Sequence, residues 1–339
     1  MGRKLQYIGL SDGTTVEAEI VSESDAVAHA VHRELQVSDV RIDPGELTMI
    51  ATDEQSGYDL IDNEILAGLQ LHRLAGIDRY PAEVSRLVGY NAAVTEPFVL
   101  LEPYRGVPVS EVAGKLLTAD RRRFQISLLT GLRWLTVAGI AHRNINPHTV
   151  RWDEDSRTVQ ITGFLNATVF GAPRQIVGTL PWAAPEQRPD RITGDVGERD
   201  DIWAMGRLIF YVLTGEEPAD RNSIRAEPEL GQLLEGVFQA PADRPTCREL
   251  LVNRLGIKDP LPGPRQDNPA LAKGREDFWV YYHGKKRQHS DSGNSGHAGE
   301  SGQPAAGTRA SRPWWRIITF SAVGVVGVLF AIVIILNVR

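Results

Sequence analysis

The chain has 339 residues, 42% hydrophobic and 24% charged, with a formal net charge of −6. That mixture excludes a collagen-like or wholly disordered chain, and the acidic balance speaks against a nucleic-acid binder. The length suits one large domain or two lobes. The single cysteine, Cys247, rules out an intrachain disulfide and fits a reducing compartment. Lysine is scarce: Lys4 is followed by none until Lys115.

The first hundred residues read as strand-rich. Leu5–Leu10 and Thr14–Val21 flank Ser11-Asp12-Gly13, and Asp39–Ile42 and Leu47–Thr52 flank Asp43-Pro44-Gly45, two hairpin signals. A helix is predicted over Asp59–Leu74, where Ile61, Ile65 and Leu69 recur at i+4. Strand-like runs follow at Val84–Val88 and Phe98–Glu102. The pattern then turns helical. Thr118 is placed to cap a helix with apolar positions Phe124, Leu128, Leu132 and Leu135. Short strands are predicted at Thr149–Trp152 and Val159–Thr162, with Asp153 and Asp155 as turn residues between them, and a further helix at Asp201–Leu213. A small sheet-rich lobe followed by a larger helical one is an α+β arrangement with a cleft between the lobes.

Residues 139–150 contain His142-Arg143-Asn144, then Asn146-Pro147 and Thr149. This run resembles the catalytic loop of Ser/Thr protein kinases, H-R-D-x-K-P-x-N. Gly163-Phe164-Leu165 stands where the family has D-F-G. Gly178-Thr179 through Ala184-Pro185-Glu186-Gln187 resembles G-T-x-x-Y-x-A-P-E. Asp201-Ile-Trp203 with Gly206 resembles the opening of the long helix, and Asp243-Arg244-Pro245 the late arginine motif. Five motifs in order identify the chain as resembling that family over about residues 1–255. The resemblance implies a bilobal fold, with an N-lobe over 1–103 and a C-lobe over 104–257. It makes His142, Arg143, Phe164, Glu186, Asp201 and Arg244 fold anchors. Glu186 is expected to pair with Arg244, and Asp201 to hold the loop backbone.

The chemical positions depart from the family. The base position is Asn144, an amide that cannot take a proton at neutral pH. The two metal-ligand positions are Thr149 and Gly163, and the loop lysine is Asn146. The strand lysine is replaced by Ile50 or Met49, and the lysine-free stretch lets no shifted alignment supply one. Glu64 sits where the helix glutamate belongs. It is open between that role, with Arg41 or Arg73 as partner, and an ordinary solvated charge. Gly9 and Gly13 bracket a tight turn, not a phosphate-binding loop. These replacements lead to the expectation of a chain that is not an enzyme: a pseudokinase with no metal and no cofactor, magnesium-free ATP being the one ligand left open.

Residues 258–316 read as a flexible linker rich in Gly, Ser and Pro, interrupted by the aromatic patch Phe278–Tyr282. Ile317–Leu336 carries no charge, and as a helix of about 20 residues it would span about 30 Å, a bilayer core. A transmembrane helix is therefore predicted over 317–338. Trp314 and Trp315 sit at its border, and the basic residues preceding it place the N-terminal part in the cytoplasm. Gly324 and Gly327 allow a homodimer through the span. Residues 1–30 lack a long apolar run, which argues against a signal peptide. The sequence thus reads as a single-pass, bacterial-looking, membrane-anchored binding, scaffolding or regulatory module. Its partner is expected to be a cytoplasmic or membrane protein, with no nucleic acid. The alternatives are an unusual active kinase and an assembly platform of a membrane transport or secretion complex.

Overall fold

Strands open the chain in the computed structural model, which describes residues 3–25, 35–43, 45–93, 95, 97–217 and 228–261. β1 (Lys4–Gly9) and β2 (Thr15–Asp25) form the first expected hairpin. The Asp12 carboxylate accepts the amide and hydroxyl of Thr14, which fixes the turn. β3 (Gln36–Ile42) and β4 (Gly45–Ala51) form the second. The helix α1 (Tyr58–Ala75) follows, then β5 (Leu87–Asn91) and β6 (Phe98–Leu101). β1 pairs with both β2 and β5, so the six strands close into a barrel in the order β1-β2-β3-β4-β6-β5.

Period-two alternation along β4 sends neighbouring residues to opposite faces. Met49 joins Leu5, Ile20, Val40 and Phe98 in one apolar cluster. Ile50 joins Val99, Leu101, Leu165 and the α1 residues Ile61, Ile65 and Leu69 in another. The helix spacing read from the sequence is therefore the buried stripe of α1. The predicted strand Val84–Val88 lies three residues further on. Residues 83–85 pair instead with a strand of the helical lobe: the Ser85 amide donates to the Ile161 carbonyl, and the Ile161 amide to the Glu83 carbonyl, both at 2.8 Å.

The helical lobe contains β7 (Val107–Pro108), α2 (Val109–Val112), α3 (Thr118–Ala138), β8 (Ile140–Ala141), β9 (Val150–Asp153), β10 (Thr158–Ile161), β11 (Thr168–Val169) and α4 (Ile202–Thr214). Phe124, Leu128, Leu132 and Leu135 of α3 are buried as their spacing predicts, packed in one cluster with Ile202, Met205 and Ile209 of α4. Thr118 does not cap α3. It is the first helical residue, and the cap residue Leu117 makes no side-chain bond. Its carbonyl instead accepts the amides of Asp120 and Arg121. Gly131 lets α3 approach β10, since a Cβ there would stand 2.8 Å from Ile161 Cδ1. Asp153 closes the β9–β10 turn by accepting from the Asp155 amide and the Ser156 hydroxyl.

The membrane helix expected at 317–338, the aromatic patch 278–282 and all but the first residues of the linker lie outside the described residues. Among the described residues no helix is long and apolar enough to cross a membrane.

Candidate functional site

The loop from His142 to Thr149 leaves β8 and enters β9 inside the helical lobe. Asp201, just before α4, holds its first two residues. One carboxylate oxygen accepts the His142 amide and the other the Arg143 amide, each at 2.7 Å. Burial pushes the Asp201 carboxyl up to about 6, against the two amides that favour its ionised form. Arg143 has a positive φ of 62°, and its Nε donates to the Asn166 carbonyl. The Asn144 amide donates to His142 Nδ1, so Nδ1 is the bare nitrogen and Nε2–H donates to the Thr162 carbonyl at 3.0 Å. Burial keeps this imidazole neutral by lowering it to about 4.

The amide positions form one network. Asn144 Oδ1 accepts three bonds: from the Thr179 amide at 3.0 Å, the Thr179 hydroxyl at 3.0 Å and Asn146 Nδ2 at 3.1 Å. The Thr149 hydroxyl donates to the Asn144 carbonyl at 2.8 Å and accepts the Asn146 amide at 3.1 Å. Gly163 has a left-handed φ of 72° and contributes no side chain. The resemblance implies a magnesium ion held by positions 149 and 163, and the donors there do not fit one. The only side chain of the two is a hydroxyl already engaged by the loop, whereas magnesium favours carboxylate oxygens. Among the described residues no group of three or more His, Cys, Asp or Glu could hold a metal.

Across the cleft, Ile50 and not Met49 faces α1. Glu64 is buried on α1, not a solvated charge. Its carboxyl accepts the Phe164 amide, and among the described residues its Oε2 has no hydrogen-bond partner and no arginine forms an ion pair with it. Burial pushes it up to about 8, so it is mostly protonated at neutral pH. Beside it, Asn63 Nδ2 donates to the Leu165 carbonyl at 2.8 Å. Consecutive residues of α1 thus fasten the helix to 164–165, and Leu165 itself lies in the Ile50 cluster.

Below the loop, Arg244 and Glu186 form a two-pronged buried ion pair at 2.5 and 2.8 Å. The guanidinium also lies 5.4 Å from the Trp203 ring. Gln187 accepts the Ala184 amide and donates to the Arg143 carbonyl, tying the 184–187 turn to the loop.

Sequence reasoning missed a cavity of about 570 Å³ between β2–β4 and residues 103–111, lined in part by Asp39, Thr48, Tyr104, Glu111 and Arg151. Thr48 donates to Asp39. Arg151 donates to the Arg105 carbonyl at 3.1 Å and the Gly106 carbonyl at 2.6 Å, with its guanidinium 5.8 Å from the Tyr104 ring. The available signal was alternation along β9, where Arg151 stands between the buried Val150 and Trp152. Thr179 belongs to the 178–187 motif, but its link to Asn144 joins residues 35 positions apart and has no local signature.

The protein kinase domain model matches residues 81–253, just over half of the chain. Among curated proteins, the chain is similar to the Serine/threonine-protein kinase grp of Drosophila melanogaster, 34% identical over 138 residues, which is 39% of this chain and 24% of that protein. It is 28% identical over 150 residues to Sperm motility kinase 1 of Mus musculus, covering 44% of this chain and 30% of the relative. It is 25% identical over 170 residues to Serine/threonine-protein kinase D of Synechocystis, covering 47% and 32%. The chain thus spans about a quarter to a third of the length of these relatives. The expectation that the chain is not an enzyme is overturned by this match and by relatives named as protein kinases.

Proposed function

Because the chain belongs to the protein kinase family, we propose that it is a signalling module that holds a polypeptide partner against the face built from the 142–149 loop and the 178–187 segment. The observation that carries this reading is the Thr179–Asn144 link. It joins the two segments through two hydrogen bonds at 3.0 Å, on a base fixed by Asp201 and by the Glu186–Arg244 pair. In this reading the module is attached to a membrane through 317–338, with the kinase-family domain on the cytoplasmic side. The uncharged run and the basic residues before it support that placement. Partner binding of this kind is scaffolding or regulatory, and it stands whether or not phosphate is transferred.

The second reading is a Ser/Thr protein kinase with unusual site residues. It is favoured by the names of the relatives and by the assembled anchors. One experiment separates the two. The full chain in detergent is given ATP, with magnesium or with chelator, and a panel of Ser/Thr-containing peptides. Peptide binding, ATP-induced thermal shift and phosphate incorporation are followed together. Peptide binding that survives chelator supports the first reading, and magnesium-dependent incorporation supports the second. Absence of peptide binding overturns the first.

A further inference from the structure

Asn144 is about 95% buried, and the placement of its side-chain amide is fixed. The backbone amide of Thr179 can only donate, so the atom facing it at 3.0 Å must be the oxygen. The Thr179 hydroxyl and Asn146 Nδ2 donate to the same oxygen, which exhausts its lone pairs. Nδ2, the other end of the amide, makes no hydrogen bond among the described residues. A nearly buried side chain therefore ends in a free donor and has no free acceptor. In the chain on either side of Thr179, Ile176 and Leu180 are 61% and 67% exposed.

We propose that Asn144 Nδ2 reads an acceptor oxygen on the bound polypeptide, a side-chain carboxylate or amide carbonyl, in preference to a hydroxyl. This inference rests on the polypeptide-binding reading above and names what that face selects. A serine hydroxyl can accept from Nδ2, but its own hydrogen then finds no acceptor on Asn144, and an unsatisfied donor in a buried site is unfavourable. A carboxylate brings no hydrogen, and its bond to Nδ2 is strengthened by its charge. An amide oxygen is intermediate, since its nitrogen must find a partner elsewhere.

The test uses the full chain in detergent and three peptide pools whose central residue is Asp, Asn or Ser and whose flanks are randomised. Binding is read by fluorescence anisotropy. The Asp pool is expected to bind about fivefold more tightly than the Ser pool, the value of roughly one hydrogen bond, with the Asn pool between them. Asn144→Asp keeps all three accepted bonds and exchanges the free donor for an acceptor. Its melting temperature should stay close to that of the parent while the ranking reverses, with Ser above Asp. Equal binding of the three pools overturns the inference and leaves the polypeptide-binding reading standing. A ranking that survives in a folded Asn144→Asp protein overturns the assignment to this residue. If no pool binds, both fall. The parent's ranking decides by itself should the variant fail to fold.

Discussion

Phe164 lies between two corners of the cleft that are held by opposite means. On the loop side its ring packs edge-on against His142 at 4.9 Å, and both buried acids there meet donors. Asp201 faces two amides, and Glu186 faces Arg244. On the α1 side its backbone amide meets Glu64, a buried carboxyl with no cation paired to it among the described residues. The loop corner holds its two acids against donors, one pair of amides and one guanidinium. The α1 corner carries an acid that is tolerated only while protonated. The family's architecture thus survives in both corners, and its electrostatics survive in one.

The largest expected effect comes from breaking the paired corner. Arg244→Ala leaves the Glu186 carboxylate buried and alone, and should cost about 3–5 kcal/mol of unfolding free energy. Urea unfolding of the full chain at pH 7 measures it. A loss below about 1 kcal/mol would mean that this pair behaves like a surface ion pair and that the contrast between the corners is smaller than their geometry implies.

The unpaired corner has a signature in pH. Glu64 lies near 8 when folded and has an ordinary value of 4.5, so between these values the folded chain holds a proton that the unfolded chain has lost. Its contribution is fully present below pH 4.5 and is lost as pH rises through 8. The parent should lose roughly 4–5 kcal/mol across this window relative to Glu64→Gln, whose side chain does not titrate. The variant keeps the other titrating groups, including His72 and His142, each lowered to about 4 by burial, so the difference between the two curves isolates Glu64. Parallel curves would show that Glu64 is ionised in the folded chain. Ile50→Lys sharpens the same point. It places an ammonium on the strand face that meets α1, so the acid ionises with a partner and the slope flattens toward that of Glu64→Gln.

The contrast between the corners also marks what could be read from sequence. The anchors were legible because they sit in contiguous motifs of fixed spacing, and the α1 stripe because Ile61, Ile65 and Leu69 repeat at helical period. Strand limits were less so. The sequence run at Val84–Val88 is apolar enough for a strand, but tertiary pairing with Ile161 claims its first half. The burial of Glu64 was open, since a glutamate on an amphipathic helix reads equally as solvated until the neighbouring strand is placed. The choice between Met49 and Ile50 needed strand register, which a slip of one residue reverses. Asn144 was legible as a departure from the motif. Its committed oxygen and free nitrogen were not, because Thr179 reaches it from 35 residues away.

The smallest expected effect tests whether the loop corner is a network or a set of separate bonds. Thr179→Val removes one of the three donors to Asn144 Oδ1 and keeps the backbone amide and Asn146 Nδ2. The oxygen remains satisfied, so the loss should be about 1 kcal/mol or less, read by urea unfolding. Asn144→Ala removes the acceptor and leaves those donors to find other partners, and should cost about twice as much, because unpaired buried donors carry their desolvation penalty. If the two substitutions cost the same, the Thr179 hydroxyl alone holds the segment to the loop. If Asn144→Ala costs more, as its three accepted bonds imply, the amide is the node of the corner, and its orientation is set by the loop and the 178–187 segment together.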